Sequence, residues 1–129
     1  MKRGIIIVLI FALLIGVCVL EERYIKKNLE LLDQKSHELL ALIDESEDVN
    51  TEAIEFKIKD LKKFWIETEG YFCLVVNHIN MEEAGEQISK IESLSRLNKK
   101  DELIVEINLL IYFAESYQHI IVPHIQNIL

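Results

Sequence analysis

Residues 4–20, from Gly4 to Leu20, form an apolar run of seventeen residues, with Lys2-Arg3 before it and Glu21-Glu22 after it. As a helix this run measures about 26 Å, the short end of a bilayer span, and Tyr24 extends the fit by sitting at the interface. Beyond it the pattern turns from continuous to periodic. Ile25, Leu29, Leu32, Ser36, Leu39 and Ile43 alternate spacings of four and three, which predicts one stripe on a helix continuing out of the apolar run. Lys26, Lys27, Glu30, Asp33 and Lys35 fall mostly off that stripe. Asp44–Thr51 breaks the rhythm with acids and capping residues and reads as a solvated turn.

A second helix follows, with the cleanest heptad seam of the chain: Ile54, Ile58, Leu61, Trp65, Thr68, Phe72, Val75 and Ile79. Gly70 is placed to bend it, and its end is expected near Asn77–Asn80. Asn80 with Glu83 three residues on resembles a capping box, which would open a third helix carrying Met81, Ala84, Ile88, Ile91 and Leu94. The next break falls at Asn98–Asp101, with Asn98 expected as another N-cap. The last helix presents Leu103, Ile107, Leu110, Ala114, Tyr117 and Ile121, widened by Ile104 and Ile111. Pro123 is expected to stop or kink it, ahead of a short apolar segment, His124–Leu129.

These elements define an all-α fold: an N-terminal transmembrane helix followed by an antiparallel bundle of about four helices. One proline and four glycines among 129 residues leave little room for sheet. Residues 1–3 form a cytoplasmic N-terminus, 4–20 the transmembrane anchor, and 21–129 a single extracytoplasmic domain, 109 residues being enough for one core and too few for two. In an up-down-up-down bundle the fourth helix returns towards the membrane and brings Ile125, Ile128 and Leu129 with it.

Charge sets the orientation and narrows the partners. Lys2 and Arg3 favour a cytoplasmic start, which makes the protein single-pass in the cell membrane with its domain outside. That domain holds twelve cations against twenty-two acids, a net of −10. Such acidity argues against nucleic acid and against adhesion to anionic lipid. A cleaved signal peptide fits the run less well, since Gly16–Leu20 offers no A-x-A-like site, and Val17 suits a lipid-modified Cys18 poorly. Cys18 in lipid and Cys73 in the polar domain cannot pair, and Cys73 reads as an inert buried thiol.

The residues point to no catalysis and no cofactor. No serine or cysteine sits in a glycine-flanked turn, and no phosphate-cradling loop is present. The acidic run 44–51 lacks the glycine and terminal glutamate of an EF-hand. Of the four histidines, His119 lies four residues after Glu115, a geometry that holds a metal only if another helix supplies ligands. No Glu-x-x-His pair suited to a dinuclear site occurs, so no metal is expected. The aromatics cluster more suggestively. Trp65 and Phe72 lie on the seam as core residues, whereas Phe64, Tyr112 and Phe113 fall off it. Phe64, Trp65, Tyr112, Phe113, Ile125, Ile128 and Leu129 are therefore the candidate interface residues.

The Lys-Arg start with its isoleucine-rich span, Phe64-Trp65, His78, the Ile88–Leu94 helix and the closing Asn127-Ile128-Leu129 together resemble an uncharacterised family of single-span proteins of Gram-positive bacteria, domain-of-unknown-function family 4363. The likeness spans nearly the whole chain. An acidic residue expected soon after His78 is replaced by Ile79-Asn80, so no His-acid pair is implied there. The resemblance implies a membrane-anchored helical domain and adds no chemistry. The expected function is thus a membrane-tethered interaction module without catalytic activity, either accessory subunit to a membrane protein or homo-oligomer. The alternative is a small-molecule or metal-sensing bundle, which, with three residues ahead of the span, would signal through a partner.

Overall fold

The computed structural model describes the backbone of residues 1–72 and 78–128, with side chains for 1–70 and 81–117. The described residues form four helices: α1 (Lys2–Glu45), α2 (Glu52–Phe72), α3 (His78–Arg96) and α4 (Lys100–Ile128). α1 has 44 residues and is therefore about 66 Å long. Its two parts differ. The large apolar side chains from Ile5 to Val17, and Leu20, are exposed, with Val19 half-buried, whereas from Ile25 onward every predicted stripe residue is buried, together with Asn28.

The other stripes are buried as their spacing predicts, through Ile54, Ile58, Leu61, Trp65 and Thr68 on α2 and Met81, Ala84, Ile88 and Ile91 on α3. On α4, Leu103, Ile107, Leu110, Ile111 and Ala114 are buried, with Ile104 and Tyr117 half-buried against them. Each buried leucine or isoleucine contributes about 1.5–3 kcal/mol, so the four seams are what holds the helices together. Helix backbones meet around a square, α1 on α2 and α4, and α3 on α2 and α4, with the diagonal pairs apart. Trp65 and Phe113 close the diagonal edge to face, their ring centroids 6.0 Å apart.

Cross-helix pairs fix the register as antiparallel. Lys35 meets Asp60 at 2.7 Å while Glu38, further along α1, meets Lys57, earlier on α2. On the α1–α4 side His37 meets Glu115 and Ser46 meets Lys100, again in opposite order. These pairs are solvent-accessible and contribute little to stability; their use is orientation.

Four expectations at helix ends are corrected. α3 already begins at His78, so Ile79 belongs to α3 and not to the α2 seam, and Asn80 is the third residue of a helix and not its cap. The run Phe72–Val76 is apolar throughout and fits any period, so its pattern has no power to place a boundary. Val75 lies outside the described residues. Asn98 caps the end of α3 and not the start of α4: it holds φ 55°, and the Asn98 and Lys99 N–H groups donate to the Ser95 and Leu94 carbonyls, which is a Schellman ending. Asparagine suits both positions, because its short amide tolerates the left-handed region. Pro123 does not stop α4, which runs on to Ile128; a proline removes its own helix bond and crowds the preceding turn, but its fixed φ is itself helical and a helix can continue beyond it.

The turn between α1 and α2 is more than a solvated connection. Val49 is fully buried in it. Its N–H donates to Asn98 Oδ1 at 2.7 Å and its carbonyl accepts from Ser95 Oγ at 2.6 Å. Asn98 Nδ2 also donates to Asp48, and Lys100 Nζ to the Ser46 carbonyl. The α3–α4 connection thus holds the α1–α2 connection at one end of the bundle.

Candidate functional site

Three places are not used up by folding. The first is the apolar start of α1, which is long and apolar enough to cross a membrane and is buried against no part of the described structure. The second is the outer face of α4. The core residues Leu103, Ile107, Leu110 and Ala114 occupy one side, and Val105, Leu109 and Tyr112, spaced four and three, recur on the opposite side. They are 58 %, 44 % and 72 % exposed. A stripe of this regularity facing away from the core is unlike isolated apolar surface residues, which are ordinary. Asp101 and Glu102 stand exposed one turn before it.

The third place lies on the α1–α4 seam. Asp33 and His37 are one turn apart on α1, and Glu115 reaches them from α4. One ligand-type atom of each lies within 4.8 Å of the others. His37 Nε2 is 3.3 Å from Asp33 Oδ1 and 3.6 Å from Glu115 Oε1. Asp33 Oδ1 is shielded from solvent and, with His37 Nε2 beside it, receives no hydrogen bond of good geometry. Burial holds the Asp33 carboxyl above its ordinary range, and the neighbouring Glu115 carboxylate pushes the same way, with His37 acting against both. His37 and Glu115 are half-exposed, which leaves the cluster open to solvent.

Spacing had singled out Glu115 with His119; the ligands that Glu115 meets across the seam are Asp33 and His37. The signal in the sequence is the same acid-x-x-x-His spacing, Asp33 to His37, on α1, where Asp33 reads only as an off-stripe charge. The His119 side chain lies outside the described residues. So do those of His78 and His124.

The candidate interface residues divide. Trp65 is 2 % exposed and belongs to the core, which removes it from any interface surface. Phe64 and Phe113 are half-buried against the core, with Lys35 Nζ 5.5 Å above the Phe64 ring and Phe113 tilted on Tyr117 at 4.8 Å. Tyr112 is free on the outer stripe. The side chains of Ile125, Ile128 and Leu129 lie outside the described residues, as does Cys73. Sequence reasoning missed Val105 and Leu109, whose spacing with Tyr112 was available but was masked by the broader core face of the same helix.

The clefts described are open surface grooves, the largest of about 540 Å³ between α3 and α4 with Leu94 and Val105 among Lys90, Glu102 and Glu106. One, between α2 and α3, encloses about 260 Å³ against Glu55, Lys59, Glu92 and Arg96. It lacks the enclosed apolar walls that bury a small molecule. No family model, no curated protein and no solved structure matches the chain.

Proposed function

We propose that this protein is a single-pass, membrane-anchored helical module, its bundle outside the cytoplasmic membrane, that docks a partner membrane protein and has no catalytic activity of its own. The observation that carries this reading is the Val105-Leu109-Tyr112 stripe, an apolar helix face directed away from the core that α4 builds among the described residues. The orientation rests on Lys2 and Arg3 ahead of the apolar run and Glu21 and Glu22 behind it. Because α1 passes from the apolar run into the bundle as one helix, the bundle is held close to the bilayer. The resemblance to a single-span family agrees with this arrangement.

The charge selects the kind of partner. With a net of −10 on the bundle and Asp101 and Glu102 beside the stripe, a second copy would bring like charges together. A partner surface that is apolar at its centre and bordered by lysine or arginine meets the same stripe favourably. The partner is therefore a different membrane protein with a basic-rimmed apolar face.

Leu109→Glu tests this. Gently solubilised membranes carrying the full-length protein should give a complex larger than the chain alone, and the substitution should abolish it. As an exposed change it should alter folding stability by no more than about 0.5 kcal/mol. A wild-type protein that migrates as a monomer, a complex that survives Leu109→Glu, or a complex made only of this chain would each contradict the assignment.

A further inference from the structure

From the Asp33–His37–Glu115 geometry we infer a binding site for a divalent transition-metal cation of the zinc class, bridging α1 and α4. The inference goes beyond the docking role and does not depend on it.

Three ligands at about 2.1 Å from a tetrahedral zinc ion lie about 3.4 Å from one another. His37 Nε2 already stands 3.3 Å from Asp33 Oδ1 and 3.6 Å from Glu115 Oε1, so two of the three edges match without rearrangement. The remaining edge needs only closure within the 4.8 Å that encloses the set. The state of Asp33 Oδ1 agrees with this: the atom is shielded from water, and His37 Nε2 at 3.3 Å gives it no hydrogen bond of good geometry. A buried carboxylate oxygen left in that condition is costly unless a cation or donor meets it.

The donor set selects the metal. One imidazole nitrogen with two carboxylate oxygens suits zinc and its transition-metal neighbours, while calcium and magnesium prefer oxygen throughout. An imidazole ligates through a nitrogen that carries no proton, which leaves the two carboxylates as an uncompensated pair of negative charges for the ion to neutralise. Half-exposed His37 and Glu115 provide the entry path, with water completing the coordination. Asp33 lies thirteen residues beyond Leu20 along α1, about 20 Å of helix. A bound ion there would clamp the helix that continues into the apolar run to its antiparallel neighbour α4.

The test is calorimetric titration of zinc chloride into the untagged full-length protein in detergent micelles, with thermal unfolding in parallel. One zinc ion per chain is expected, with an upward shift in melting temperature. His37→Ala and Glu115→Gln should each weaken binding at least about tenfold, since even outer partners of a metal site cost that much. Asp33→Asn keeps the question open to refutation if either variant folds poorly: without metal it should melt no lower than the wild type, yet lose the zinc-induced shift. Absence of zinc binding overturns the site. Binding that all three substitutions leave unchanged overturns it too, by assigning the ion to the other histidines. Calcium or magnesium competing as well as zinc overturns the metal class.

Discussion

At the scale of single residues, Asp33 shows how a group can be held in a state that the fold alone does not favour. Its carboxyl is pushed above the ordinary range by burial first and by Glu115 next, and His37 opposes them only in part. The folded chain therefore holds the Asp33 proton more tightly than the unfolded chain does. Its contribution to stability is fully present below the ordinary aspartate pKa, about 3.9, and is lost as pH rises through the raised folded value. At neutral pH, without metal, the ionised Asp33 is a destabilising group. Asp33→Asn should accordingly raise the melting temperature at neutral pH, and the gain should fade as the sample is acidified below the carboxylate range. A variant that melts lower than the wild type at neutral pH would contradict this account of the residue. Trp65 is the opposite case. It is buried against α3 and Phe113, and a Cβ added at Gly85 would meet its indole Nε1 at 3.5 Å, an ordinary contact, so this packing does not itself demand a glycine.

At the scale of elements, the helix connections at the Val49 end act as one unit, because Asn98 serves as a left-handed cap for α3 and as the donor and acceptor that hold the α1–α2 turn. Asn98→Gly keeps the backbone angle free of strain but strands the buried Val49 N–H, which should cost about 1–3 kcal/mol. Asn98→Ala adds the left-handed penalty of about 1–2 kcal/mol and should be the worse of the two. Thermal unfolding of both variants checks the order; equal losses would mean that the conformation of Asn98 carries no weight. Over the described side chains most of the heptad stripes were legible, since a four-three spacing leaves only one face for a helix to bury, although Leu94 and Tyr117 are half-buried and Phe72 and Ile121 lie outside the described side chains. The ends of α2 and α3 were not, because Phe72–Val76 is apolar at every position. Val49 was hidden in a run of acids that composition alone reads as solvated. The Asp33–His37–Glu115 cluster depends on which helices are neighbours and how each is rotated, and only its acid-x-x-x-His spacings could have pointed to it.

At the scale of the whole molecule, α1 has two unlike parts: one carries apolar side chains that are mostly exposed over residues 4–20, and the other supplies one of the four helices of the bundle. The His37–Glu115 contact sets the α1–α4 register. Thirteen residues further along α4 is Ile128, which comes level with Tyr24, thirteen residues back along α1. On this register α4 ends near the bundle-side end of the apolar run of α1, and in the proposed arrangement its outer stripe faces sideways from a bundle tethered at the bilayer. Under the proposed role, a surface in that position would meet other membrane proteins at high effective concentration, and a modest apolar stripe would suffice for docking. The most direct test of the docking role is site-specific photo-crosslinking in intact cells, with a photoreactive amino acid placed at Tyr112 of the full-length protein and, for comparison, at the exposed Lys59 on α2. The account predicts a defined crosslinked membrane protein from position 112, absent from position 59 and lost when Val105 and Leu109 are also changed to glutamate. Equal crosslinking from both positions, or none from position 112, would contradict it.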